Sequence, residues 1–172
     1  MTEIYCFPPI ADADARLLIL GSMPGKASLE ANQYYAHPRN LFWPILGELV
    51  GAGPARDYAE RARILTANGI ALWDVLKSCR RASSLDADIV KSTMIANDFT
   101  AFFAAHPHID RVFFNGTTAE QAFRRHVLPT ISTETLLLQR LPSTSPAHAA
   151  LSYQQKLQSW RIILEKSAVC GQ

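Results

Sequence analysis

Four short apolar runs, each stopped by a turn or a polar loop and separated by stretches of helical period, limit this chain to one broad architecture. Arg16 to Gly21 is apolar after its first residue and ends at glycine. Ile70 to Val75 (IALWDV), Arg111 to Phe114 and Thr135 to Gln139 repeat the pattern. Short continuous apolar runs of this kind read as strands buried on both faces. Between them the period changes. Phe42, Ile45, Leu46 and Leu49 fall at i, i+3, i+4 and i+7, which predicts a helix over 40–50 with Asn40 at its N-cap position. Asp57 and Asn68-Gly69 bracket a second helix. Further helices are expected over 98–105, 118–127 and 152–166. Residues 1–15, with Pro8-Pro9, read as an irregular lead-in, and 25–39 and 76–86 read as loops. Strands alternating with helices argue for an α/β fold with a mostly parallel sheet covered on both faces. In such a sheet the loops after Leu20, Asp74, Phe114 and Gln139 collect on one edge, the edge where open α/β sheets bind ligands.

The chain has 172 residues, 48% of them hydrophobic and 19% charged, which suits one globular domain over 1–172. Its net charge of +2 permits a nucleic-acid partner without requiring one. Cys6, Cys79 and Cys170 are far apart and odd in number, so free thiols in a reducing compartment are expected. There is no CxxC, no HExxH and no carboxylate or histidine cluster at metal-ligand spacing. Chemistry without metal or cofactor is therefore expected. No signal peptide and no membrane-spanning run is visible, which predicts a soluble cytoplasmic protein, and nothing suggests more than a monomer.

The suggestive side chains fall in the four loops. Gly21-Ser22-Met23-Pro24-Gly25 offers backbone N–H groups that can hold an oxyanion, a phosphate or a base carbonyl. It is neither a Walker loop nor GxGxxG. Tyr34, Tyr35, His37, Arg39, Asn40, Phe42 and Trp43 lie within ten residues. Aromatics interleaved with a base and an amide suit a planar polar ring, and Tyr34 or Tyr35 can stack on a nucleobase. Asn40 suits either a helix cap or a group that orients water. Asn115 can pair with a base edge or simply form a turn with Gly116. Pro142-Ser143-Thr144-Ser145-Pro146-Ala147-His148 sets three hydroxyls between prolines, a pattern suited to a DNA phosphate or to an ordinary polar loop. Asp74 and Asp86 suit general bases, but Asp74 reads better as a partner for a nearby N–H and Asp86 as a helix cap.

Taken together, GSMPG, YYAHPRNLFW, GIALWDVLKSC, SLDADI, FFNG and LPSTSPAH resemble the uracil-DNA glycosylase superfamily, most closely its hypoxanthine-DNA (DNA-deoxyinosine) glycosylase branch. HPRNLFW also resembles the HPxNxFW of mismatch-specific members. The resemblance implies a three-layer α/β/α sandwich around a four-stranded parallel sheet. It implies base excision repair: hydrolysis of the N-glycosidic bond of a deaminated base flipped out of DNA. It places the catalytic amide at Asn40 and the stacking aromatic at Tyr35. Gly21, Ser22, Met23, Pro24 and Asn115 become base contacts. Arg39, Pro142, Ser143, Thr144, Ser145 and His148 become backbone or wedge contacts. Met23 stands where many members carry a water-activating Asp or Asn, and Leu141 where uracil-excising members have a histidine. Both departures favour hypoxanthine over uracil. No lysine occupies a motif position for a Schiff base, which implies no lyase step. Two other classes remain open: a DNA- or nucleotide-binding module without chemistry, and a small-molecule hydrolase using Ser22 as nucleophile.

Overall fold

A computed structural model describes residues 2–167; Cys170 lies outside the described residues. Seven strands and six α-helices follow one another along the described chain. They are β1 (Thr2–Tyr5), β2 (Leu17–Gly21), α1 (Lys26–Ala31), α2 (Phe42–Val50), α3 (Tyr58–Ala67), β3 (Ile70–Asp74), β4 (Leu76–Arg81), β5 (Ile95–Ala96), α4 (Phe99–Ala105), β6 (Arg111–Asn115), α5 (Thr117–His126), β7 (Leu137–Leu141) and α6 (Tyr153–Trp160). Short 3₁₀ turns join several of them.

The central sheet has four parallel strands in the order β3-β2-β6-β7. Period-two alternation splits the apolar run of β2 between two cores. Leu18 and Leu20 face Phe99, Phe102, Ala119 and Phe123 of α4 and α5. Leu17 and Ile19 face Phe42, Ile45, Leu46, Leu65, Leu157 and Trp160 of α2, α3 and α6. Every β2 residue is buried, as a parallel strand between two helical layers must be. The three-layer α/β/α sandwich expected from the resemblance is the observed architecture.

Chain order in the sheet reverses beside β2. The chain leaves β2 for β3 on one side, then returns through β6 on the other. The crevice outside the carboxyl ends of β2 and β6 is thus a topological switch point. Registers Gly21↔Asp74, Leu20↔Phe114 and Asn115↔Leu141 bring all four carboxyl ends to that edge.

Several local expectations change. The lead-in is not all irregular: β1 pairs antiparallel with β4, Thr2 opposite Arg81 and Tyr5 opposite Ser78. Thus 76–86, expected as a loop, begins as a strand, and β5 completes a second, three-stranded sheet. Lys77, Arg80 and Arg81 disguised β4, yet Leu76, Ser78, Cys79 and Arg81 are all buried. The stretch 25–39 contains α1, a six-residue helix whose buried residue is Ser28, so no apolar stripe announced it. The fourth strand lies two residues later than expected, because a turn from Thr133 to Leu136 occupies its predicted start. The closing helix ends at Trp160 and tightens to a 3₁₀ turn over Arg161–Leu164. No described helix is long and apolar enough to cross a membrane.

Candidate active site

At the end of β2 only glycine fits. A Cβ on Gly21 would stand 2.5 Å from Asp74 Oδ1 and 2.7 Å from the Tyr35 hydroxyl. Three elements therefore converge on one backbone carbon: β2, the end of β3, and the loop before α2.

Tyr35 is held there in an uncommon conformation. Its φ is 53°, in the left-handed region that a non-glycine residue enters only when its surroundings enforce it. Here they do. Tyr34 N donates to the Tyr58 hydroxyl at 3.1 Å, Trp43 Nε1 donates to Tyr34 O at 2.8 Å, and Ala36 N donates to Ser28 Oγ at 3.1 Å. The Tyr35 ring stacks on Phe42, with centroids 4.2 Å apart and planes at 27°. Phe42 thus backs one face of the ring. Tyr34 is 3% exposed and its hydroxyl donates to Pro8 O at 2.8 Å, so this tyrosine is framework. Burial drives both phenols above their ordinary pKa, keeping them neutral.

Asn40 is not the N-cap residue expected: α2 starts later, and Asn40 stands one residue before its N-cap. The N-cap residue is Leu41, and Asn40 Oδ1 accepts from Phe42 N at 2.9 Å. That N–H fixes which end of the amide is oxygen. Among the described residues none accepts from Asn40 Nδ2. The cap therefore uses one lone pair and leaves the NH₂ group and the second lone pair of a half-buried residue for something else. His37 and Arg39 lie beside it, and Arg39 is exposed; Arg39 N donates to His37 Nδ1 at 3.1 Å, which puts the ring proton on Nε2. The His37 ring is thus tied to a backbone N–H.

The last loop is fastened to this turn. Leu41 N donates to Thr144 O at 3.0 Å. Asn115 Nδ2 donates to Thr144 Oγ1 and Thr144 N donates to Asn115 Oδ1, both at 2.9 Å. Thr144 is fully buried. Its expected role as a phosphate contact is corrected: the side chain is turned inward to hold Asn115. Asn115 in turn spends one N–H and one lone pair on the frame, and its amide also bears on the Tyr35 hydroxyl. Ser143 and Ser145 make short local turns, accepting from Ser145 N and Ala147 N at 3.2 Å each. Trp160 Nε1 donates to Pro142 O at 2.9 Å, and the buried Lys156 donates to His148 O at 2.6 Å, so α6 grips both ends of the loop.

The GSMPG loop is built through its carbonyls. Gly21 O accepts from Val75 N at 2.8 Å, Ser22 O from Leu76 N at 3.2 Å, and Pro24 O from Arg81 Nη2 at 2.6 Å. No described residue accepts the N–H of Ser22 or Met23. Met23, expected among the base contacts, sends its side chain into the core between the sheet and α4 and α5, so only its backbone is at the edge. Ser22 Oγ donates to Asp86 Oδ1 at 2.8 Å, and no histidine joins the pair. A serine whose proton is given to a carboxylate without an intervening imidazole lacks the base of a serine hydrolase. Asp86 is therefore not the helix cap expected; it opens a 3₁₀ turn and holds Ser22.

Asp74 carries more than its residue type announced. It is 3% exposed, and its Oδ2 has no hydrogen-bond partner among the described residues, so the N–H expected beside it is not found at that oxygen. Burial first, then the charge of Asp86, raises its pKa to about 7, against the opposing pull of Arg81. Arg81, 6% exposed, leaves Nε and Nη1 without partners as well. Asp74 is visible in the sequence as a candidate base, but its burial at the end of IALWD and that of Arg81 within the charged LKSCRR are not. Cavities of about 280 and 410 Å³ open elsewhere, at the amino ends of β6 and β7, lined by residues such as His106 and Thr135 or Arg111 and Glu165. They hold none of these groups. Among the described residues no cluster of His, Cys, Asp and Glu is arranged to bind a metal.

Comparison with known proteins identifies the family of the fold. The family model described as "Uracil DNA glycosylase superfamily" matches residues 8–165. A hypoxanthine DNA glycosylase of Methanosarcina barkeri is 39% identical over 64% of this chain and 69% of its own length. One from Methanosarcina acetivorans is 35% identical over 66% of this chain and 71% of its own. A solution NMR structure of a Methanosarcina acetivorans protein, provisionally described as a uracil DNA glycosylase, superposes with a TM-score of 0.76 at 28% identity, over 95% of this chain and all of that one. With a family model over nearly its whole length, relatives above 30% identity and the same three layers, the chain belongs to the uracil DNA glycosylase superfamily.

Proposed function

We propose that this chain is a monofunctional DNA glycosylase that hydrolyses the N-glycosidic bond of a deaminated base in DNA, hypoxanthine first and uracil second. The relatives named for hypoxanthine support the choice of base. The observation that carries the reading is Asn40: an amide clamped by Phe42 N–H at its oxygen, with its NH₂ group unspent, on the same turn as a ring-stacked tyrosine.

The base flips out of the duplex and stacks on Tyr35, whose other face rests on Phe42. Asn40 is uncharged and takes no proton. It orients a water against C1′ while the glycosidic bond breaks and an oxocarbenium-like centre forms. The free N–H groups of Ser22 and Met23 steady charge on the departing base. Arg39, Pro142, Ser143, Ser145 and His148 grip the backbone and fill the gap in the duplex, and no lysine forms a Schiff base. The domain spans 1–172 and works as a cytoplasmic monomer.

Asn40→Ala tests this directly. Single-turnover cleavage of a hypoxanthine duplex, read as alkali-labile strand breaks, should fall by roughly 100-fold or more, with duplex binding retained. Wild-type cleavage by the variant would reduce Asn40 to a helix cap. Duplexes with uracil, xanthine or a G·T mismatch, run beside it, rank the bases.

A further inference from the structure

Resting on the glycosylase reading above, we propose that Asp74 is the general acid of this site: its carboxyl, set against Gly21 and Tyr35 at the end of β3, delivers a proton to the departing base.

Three observations carry it. Asp74 Oδ2 is buried and has no partner among the described residues, an arrangement too unfavourable to persist without a use. Oδ1 and the Tyr35 hydroxyl close on the same point, 2.5 and 2.7 Å from where a Gly21 side chain would begin, so the carboxyl borders the ring proposed to stack the base. A second carboxylate and a cation stand close enough to act on it: Asp86, held by Ser22, and Arg81, held by Pro24 O. With both acids ionised this trio carries one negative charge, and two of its members, Asp74 and Arg81, are buried. One added proton makes it neutral. Burial raises Asp86 as well, but the Ser22 hydroxyl and Arg81 both pull against that rise, whereas Asp74 Oδ2 accepts no bond, so the proton falls to Asp74.

The other groups around Asp74 do not compete for that proton. Tyr34, Tyr35, Tyr58 and the Cys6 thiol all feel its charge, and burial raises every one of them, so they stay neutral near pH 7. Asn97 Nδ2 donates to the Asp74 backbone carbonyl at 2.8 Å, not to the carboxyl.

The step balances. The C1′–N9 bond breaks and its electron pair goes to the base. The Asp74 proton goes to a basic atom of that base, either N7 or O6, which lie side by side on one edge. Neutral hypoxanthine leaves and Asp74 becomes a carboxylate. Water placed by Asn40 bonds to C1′ and loses one proton, and Asp74 regains one from solvent.

The test is single-turnover cleavage of a hypoxanthine duplex at saturating enzyme, from about pH 5.5 to about pH 8.5. The wild-type rate should be level at the acid end and fall about tenfold per unit above about pH 7. Asp74→Asn should be slower by roughly 100-fold at the acid end and lose the falling limb, while still binding a duplex that carries non-cleavable 2′-fluoro-deoxyinosine. Asp86→Asn, at an exposed position, should slide the limb to lower pH, because it removes a charge that raises Asp74. A level wild-type profile, a limb that survives Asp74→Asn, or one that Asp86→Asn leaves in place overturns the assignment. If Asp74→Asn fails to fold, the wild-type and Asp86→Asn profiles still decide. Absence of base release by the wild type from every damaged duplex is a different result, and it sinks the glycosylase reading itself.

Discussion

Burial raises the Asp74 carboxyl from 3.8 to about 7, with Asp86 adding to the effect and Arg81 opposing it. The folded protein therefore holds a proton that the unfolded chain releases between those values. A group raised in this way contributes stability that is complete below about pH 4 and lost as pH rises through about 7. A rise of this size sets an upper bound of about 4 kcal/mol on that contribution. Asp74→Asn keeps the shape and removes the ionisation. Its melting temperature should match the wild type at about pH 3.5 and exceed it by several degrees at about pH 8. Thermal melts at the two pH values check this. An equal offset at both would place the proton elsewhere.

Among the elements, the strands and helices of the central sandwich were legible because their cause is local: an apolar run of five or six, or a 3.6-residue stripe. The second sheet was not. β4 alternates charge with buried polar residues, and its pairing with β1 depends on Thr2–Tyr5 over seventy residues earlier. The candidate site divides the same way. Tyr35, Asn40 and the glycine loop stood out by residue type and closeness in the chain. That Thr144 faces inward was invisible, because nothing local separates it from Ser143 and Ser145; its partner Asn115 lies 29 residues away. The Thr144–Asn115 pair joins the end of β6, the final loop and the turn before α2. Thr144→Val keeps the volume but leaves Asn115 Nδ2 buried without its acceptor. It should destabilise the protein by about 1–3 kcal/mol in urea unfolding. Because Leu41 N also hangs on the Thr144 carbonyl, cleavage should fall more than binding as the Asn40 turn loosens. A variant as stable and as active as wild type would show that the three elements are positioned independently.

For the whole molecule, a net charge of +2 is too small to hold DNA by itself. Affinity must come from where the cations sit. Arg39 is exposed, makes no ion pair among the described residues, and stands one residue before the proposed catalytic amide, on the edge where four strands end. Arg63, by contrast, lies on α3 and is already paired with Glu60 at 2.6 Å. If Arg39 neutralises a phosphate, Arg39→Ala should weaken binding of damaged and undamaged duplexes alike. It should also reduce the slope of log Kd against log salt by about one. Single-turnover cleavage at saturating enzyme should change by less than about threefold, since the reacting atoms are untouched. Arg63→Ala should leave the slope as it is. Fluorescence anisotropy over a salt series measures both variants. An unchanged slope for Arg39→Ala would move the DNA path off this turn, toward the cations of the second sheet at Lys77 and Arg80, which are exposed and lie across β4.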